Sequence, residues 1–184
     1  MVNLTLKRAV AIAVLAGASI GANAAEQSLG TVSLTEPTAF TGVITGASGT
    51  TINDIFTFDL GLGNTQSGYS VVNLPVSVGG ASFNTALATL TLVSNVDGIV
   101  GNSDDTILKS VVIPSPGNNP DHLSLQWNAP ITDHAYLNVT GITNGGAGGV
   151  YAGAIAAIPE PETYAMLLAG LGLMGAVVRR RRQS

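Results

Sequence analysis

The chain's only histidines each follow an aspartate, Asp121-His122 and Asp133-His134. Imidazole and carboxylate together suit zinc-like ions, and the same pair can move protons as acid and base. On neighbouring antiparallel strands the two dipeptides would form one site. The competing reading places all four residues at strand starts, exposed or hydrogen-bonded to turns. A second cluster lies in Asn95-Val-Asp97-Gly98 and Gly101-Asn102-Ser-Asp104-Asp105. Calcium takes roughly six to eight oxygens from flexible acidic loops. Asp97, Asn102, Asp104 and Asp105 are therefore the expected calcium ligands, set against an acidic turn that holds no ion. The EF-hand spacing is absent, as are a G-x-S-x-G elbow, a P-loop and a G-x-G-x-x-G after a strand. No catalytic residue is assigned, and the chain is read as non-enzymatic. The alternative is a carbohydrate- or calcium-binding module. Of the aromatics a sugar face could use, Trp127 shares its side with Leu123 and Leu125 and reads as core. Tyr136 is expected to point outward.

The elements that position these residues are strands. The middle of the chain is rich in Gly, Thr, Ser, Val and Asn, which favours strands and turns over helices. Phe56, Phe58 and Leu60 alternate with polar neighbours, as do Leu123, Leu125 and Trp127, and Ala135, Leu137 and Val139. Further strands are expected at 30–34, 39–44, 69–78, 86–93, 106–113 and 150–156. Turn residues separate them at 46–49, 61–68, 79–80, 95–105, 114–120 and 144–149. The glycine-rich run at 144–149 is expected to be a hairpin loop. Eight or nine short strands with frequent turns predict an all-β fold, an antiparallel β-sandwich with jelly-roll-like wiring.

Both ends differ from this body. Residues 1–24 have the layout of a secretory signal: Lys7 and Arg8, an apolar run over 9–20, and an Ala22-Asn23-Ala24 cleavage site. Cleavage is expected after Ala24, with Ala25 as the neighbouring alternative. At the other end Pro159-Glu160-Pro161 precedes an uncharged run from Thr163 to Val178, followed by Arg179, Arg180, Arg181 and Arg182. The prolines fix a short extended segment, and Pro161 suits the first turn of a helix. The run predicts a transmembrane helix over 162–178, with the arginines stopping transfer on the cytoplasmic side. Its uncharged part is short, about 24 Å as helix against a bilayer core of ~30 Å. The domain plan is a signal peptide at 1–24, an exported β-domain at 25–157 and a tail at 158–184.

Setting the ends aside reveals an acidic body. The chain has 7 Lys plus Arg and 11 Asp plus Glu. Between Glu26 and Ile158 only Lys109 remains against nine acids, a net charge near −8. Such a surface repels nucleic acid, whose phosphates need lysine and arginine. There is no cysteine, so stability must come from burial.

The tail resembles the PEP-CTERM sorting signal of exported proteins in Gram-negative bacteria. The resemblance rests on Pro159-Glu160-Pro161, the apolar span with Leu-Ala-Gly-Leu-Gly-Leu at 168–173 and the terminal arginines, in that order. It implies export with signal-peptidase cleavage and a transient membrane anchor. It also implies recognition by an exosortase, a membrane transpeptidase that cuts near the motif. The product is then released or transferred to the cell surface or extracellular space, typically in species that make exopolysaccharide and biofilm. In the body, Ile52-Asn53-Asp54-Ile55-Phe56-Thr57-Phe58 resembles the FxDxF-type subgroup of such proteins, with Ile52 in place of the first aromatic. Phe56 and Phe58 are expected in the core, and Asp54 is expected to cap or fix a strand end.

Overall fold

The computed structural model describes residues 26–113, 122–159 and 161–181. The signal-peptide assignment, with Ala24 and Ala25, lies outside the described residues, as do Asp121, Glu160 and Arg182. In chain order the strands are β1 (Glu26–Val32), β2 (Thr38–Thr45), β3 (Thr51–Leu60), β4 (Asn64–Asn73), β5 (Val76–Val78), β6 (Ala81–Phe83), β7 (Thr85–Asn95), β8 (Thr106–Val112), β9 (His122–Trp127), β10 (His134–Thr143) and β11 (Gly148–Pro159). One helix, α1 (Pro161–Arg181), follows them.

Two sheets carry the body. One has the order β1-β3-β10-β7-β8 and the other β2-β11-β4-β9, while β5 and β6 form a separate hairpin. The sheets share one hydrophobic core, because the alternating residues of each turn one apolar row inward. On β3, Ile52, Phe56, Phe58 and Leu60 are buried, while Thr51 and Asn53 are exposed. Aromatic rings join the two layers: Phe40 meets Phe56 with centroids 4.2 Å apart, and Phe58 meets Tyr69 at 5.8 Å. Phe40 and Tyr151 also lie over glycines of the strand each pairs with in the same sheet, Gly153 of β11 and Gly42 of β2. A Cβ on Gly153 would stand 2.2 Å from the Phe40 ring, and one on Gly42 would stand 2.2 Å from the Tyr151 ring. Only a residue without a side chain fits beneath either ring.

Strands β2–β4 and β7–β11 are ordered β2-β11-β4-β9 and β3-β10-β7-β8, changing sheet at every step but β7 to β8, the wiring expected of a jelly roll. The sheets are mixed rather than purely antiparallel, because β1 pairs with β3 in parallel. The chain leaves the first sheet after β1, adds β2 to the second, and returns as β3 in the original direction. The strand expected over 69–78 is broken at Leu74-Pro75, where proline has no N–H for the ladder. The glycine-rich run at 144–149 is not a hairpin loop. It links β10 in one sheet to β11 in the other, packed so closely on Ser82 and Asn84 that a Cβ on Gly145 would lie 2.5 Å from the Ser82 carbonyl.

The expected transmembrane helix is not supported. No helix among the described residues is long and apolar enough to cross a membrane. Helix α1 has 21 residues, but its uncharged run is shorter and arginines fill the last turn. Its middle is nevertheless apolar and open: Met166, Leu167, Leu168, Leu171, Leu173 and Met174 are all exposed.

Candidate functional site

The β7–β8 loop gathers the four expected calcium ligands and engages five of their side-chain oxygens in hydrogen bonds within the chain, while Asp105 Oδ1 is buried without a hydrogen-bond partner. Asp97 Oδ1 accepts from Ile99 N–H at 2.8 Å, and Asp97 Oδ2 accepts from the Asn102 amide at 2.9 Å. Asp104 Oδ2 accepts from the N–H groups of Val96 and Asp97, both at 3.1 Å, while Asp104 N–H donates to Asn102 Oδ1. Asp105 Oδ2 accepts from Gly101 N–H at 2.6 Å and from the Tyr136 hydroxyl at 3.0 Å. These are the local side-chain-to-backbone bonds by which Asp and Asn fix turns. Among the described residues, no three His, Cys, Asp or Glu side chains are placed to hold a metal ion.

The loop also changes the setting of Tyr136. The residue does point away from the core, as its strand register predicts, but it is buried. Burial, reinforced by the hydrogen bond and charge of Asp105, raises its pKa to about 12. It therefore offers no open aromatic platform.

The two histidines stand on different sheets, at the edge in β9 and in the centre in β10. They do not form the paired site considered from sequence. His122 and Asp133 are exposed. His134 instead joins Asp59 on the neighbouring strand β3, with Nδ1 2.5 Å from Oδ1, and its ring lies against Gly98. Ser28, Gly30, Thr57 and Asn95 complete a cleft of about 250 Å³ around them. A carboxylate holding an imidazole is the orienting half of acid–base chemistry. Among the described residues, however, His134 has no second hydrogen-bond partner. Sequence adjacency missed this pairing, because its members are 75 residues apart.

Asp54 departs from its expected place. It is not a strand-end cap but an inward-facing residue of β3, 7% exposed, and it accepts a hydrogen bond from the Tyr151 hydroxyl. Burial first, then the Asp54 charge and hydrogen bond, push the Tyr151 pKa well above its ordinary value.

The tail begins inside the fold. Pro159 is the last residue of β11 and stands opposite Asn64 of β4 after a register shift. Thr65 Oγ1 donates to Ile158 O at 3.3 Å. The Asn64 side chain bonds Gly61 O at 3.0 Å and both backbone groups of Ile131 at 2.9 Å, which anchors this rim. Pro161 opens α1, so a single residue separates strand from helix. Arg179 in the last turns of α1 is exposed; Arg180 and Arg181 belong to the same helix.

Residues 157–182 match the PEP-CTERM protein-sorting motif. That match takes in the end of β11 and α1, and the β-sheets upstream lie outside it. No curated protein matches the chain.

Proposed function

We propose that this chain is an exported protein sorted by an exosortase through Pro159-Glu160-Pro161. The single observation that carries the reading is the match of residues 157–182 to the sorting motif. Supporting it is the junction geometry, with a proline ending β11 and another opening an exposed apolar helix. In this reading residues 1–24 are a signal peptide removed after Ala24 or Ala25, a cut that leaves β1 whole. The tail then serves as a membrane-anchored sorting signal until processing, with its arginines on the cytoplasmic side.

The body is proposed to be a non-enzymatic component of the cell surface or extracellular matrix, associated with exopolysaccharide. A non-enzymatic role is supported by the separation of the two histidines and by the loop carboxylates, one oxygen of each of Asp104 and Asp105 being engaged in local hydrogen bonds. The acidic charge of the body argues against nucleic acid as a partner. Membership of the FxDxF-type subgroup is proposed on Asp54, Phe56 and Phe58, all of which are buried.

Fractionation of an epitope-tagged chain tests the reading. With the native motif, the processed protein is expected at the surface or in the medium. With Pro159, Glu160 and Pro161 replaced by alanine, unprocessed protein is expected in the membrane fraction. Unchanged processing and location in that variant would refute exosortase sorting.

A further inference from the structure

The sandwich has an open side where β8, the edge of one sheet, meets β9, the edge of the other. Lys109, the only cation between Glu26 and Ile158, bridges this side by donating from Nζ to Gln126 O at 2.9 Å. Two clefts meet there and share Lys109 and Gln126.

The first cleft, about 550 Å³, runs over the outer face of β9, β4 and β11. Ladder pairing sets Gln126 beside Gly68, Ser124 beside Ser70, Ser70 beside Ala154 and Gly68 beside Ala156. These six residues make a shallow floor three strands wide, roughly 10 Å at ordinary strand spacing. The floor carries no charge, and nothing bulky rises from it except the Gln126 amide. The second cleft, about 450 Å³, is walled by Trp127, Leu108 and Asn128. Trp127 packs its inner side on the core, and its indole N–H is buried without an acceptor. An orphan donor of this kind is uncommon, since buried polar groups are nearly always paired.

We infer that this double cleft is a binding site for a neutral glycan chain. The chemistry on offer is an aromatic wall, two amides, two serine hydroxyls and the two ammonium hydrogens Lys109 does not use. That combination suits a ligand dense in hydroxyls, with apolar ring faces and no charge. A polyanion is disfavoured, because one cation must work against nine acids in the same body. The floor explains an otherwise unused run of small residues: larger side chains at Gly68, Ala154 or Ala156 would fill the bed on which a sugar chain lies. The inference rests on the proposal that the body associates with polysaccharide, and it assigns that association to named residues.

Titration calorimetry of the full chain with a cello-oligosaccharide, and separately with an oligogalacturonate, tests it. The neutral probe is expected to bind and the uronate is not. Gln126→Ala and Asn128→Ala, both at exposed positions, are each expected to weaken binding about tenfold, the loss of one hydrogen bond. Ala154→Leu is expected to abolish binding by filling the floor. Circular dichroism of each variant checks that the fold is kept. Binding that survives Gln126→Ala, Asn128→Ala and Ala154→Leu overturns the assignment to this cleft while leaving polysaccharide association standing elsewhere on the body. No binding of the neutral probe, or binding of the uronate alone, overturns the neutral-glycan inference. None of these results bears on sorting, which fractionation reads independently.

Discussion

The body and the tail of this chain carry information in opposite ways. In the body, meaning is spread over many residues that act together: inward rows on two sheets, rings meeting between those sheets, and a loop whose carboxylates accept from its own N–H groups. In the tail, three residues, an apolar run and a cluster of arginines form a linear signal that needs little folding to be read. A change in the body should therefore alter stability and leave the address intact, whereas a change in the tail should alter the address and leave stability intact. Variants that cross this line would break the comparison.

The largest expected effect lies in the core. Phe56 is 2% exposed and touches rings from the other sheet. Phe56→Ala should lower unfolding free energy by about 3–5 kcal/mol, measured by urea denaturation. The processed fraction of the molecules that still fold should not change. Next is Gly153→Ala, whose new methyl group meets the Phe40 ring and, at 2.7 Å, the Ser70 carbonyl. Backbone gives way less easily than a side chain, so a loss of about 1–3 kcal/mol is expected in the same assay.

Alkali should act on the body through its buried tyrosines. Burial, partly offset by the hydrogen bond to Ser67, raises Tyr69 to about 12, and Tyr136 reaches a similar value beside Asp105. Tyr151 is likewise raised well above its ordinary value, by burial first and then by Asp54. The folded state holds protons that the unfolded chain releases near pH 10. Their contribution is thus intact below pH 10 and is lost as pH rises through about 12. For Tyr69 alone the difference is worth about 3 kcal/mol. Thermal melts across this range should show Tm falling, and Tyr69→Phe should flatten the fall. A Tm independent of pH up to 12 would contradict the buried placement of these hydroxyls.

The smallest expected effect is in the β7–β8 loop. Asp104→Ala leaves two exposed N–H groups without their carboxylate, a loss of about 1 kcal/mol. Calcium added to the wild-type chain should leave Tm unchanged, because five of the candidate ligand oxygens already accept from N–H and O–H donors. A calcium-dependent rise that Asp104→Ala removes would restore the metal reading.

These contrasts also mark what the sequence could disclose. Alternation at Phe56-Thr57-Phe58 or Leu123-Ser124-Leu125 is a local property, and it located strands and core rows directly. Turn residues at Gly79-Gly80 and over 95–105 marked real reversals for the same reason. Pairings between distant residues were invisible. Asp54 looked like a cap because nothing nearby announces Tyr151, 97 residues away. His134 looked paired with Asp133 because adjacency in sequence conceals Asp59, its partner across the ladder. The parallel β1 and the crossover at 144–149 depend on which sheet each strand joins, and strand periodicity does not encode that. The tail was legible because its elements are consecutive. Even there the sequence did not show that Pro159 belongs to β11, although the length of the uncharged run already pointed to a helix short of a membrane span.

The most direct test of the central claim is to transplant residues 157–184 onto an unrelated exported β-domain and follow the fusion in the native host. If the tail alone carries the address, the fusion will be processed and delivered like the native chain, and the same fusion with alanine at the three motif positions will remain unprocessed in the membrane fraction. A fusion that is exported but never processed, while the native chain is, would contradict the account and place part of the sorting signal in the β-body.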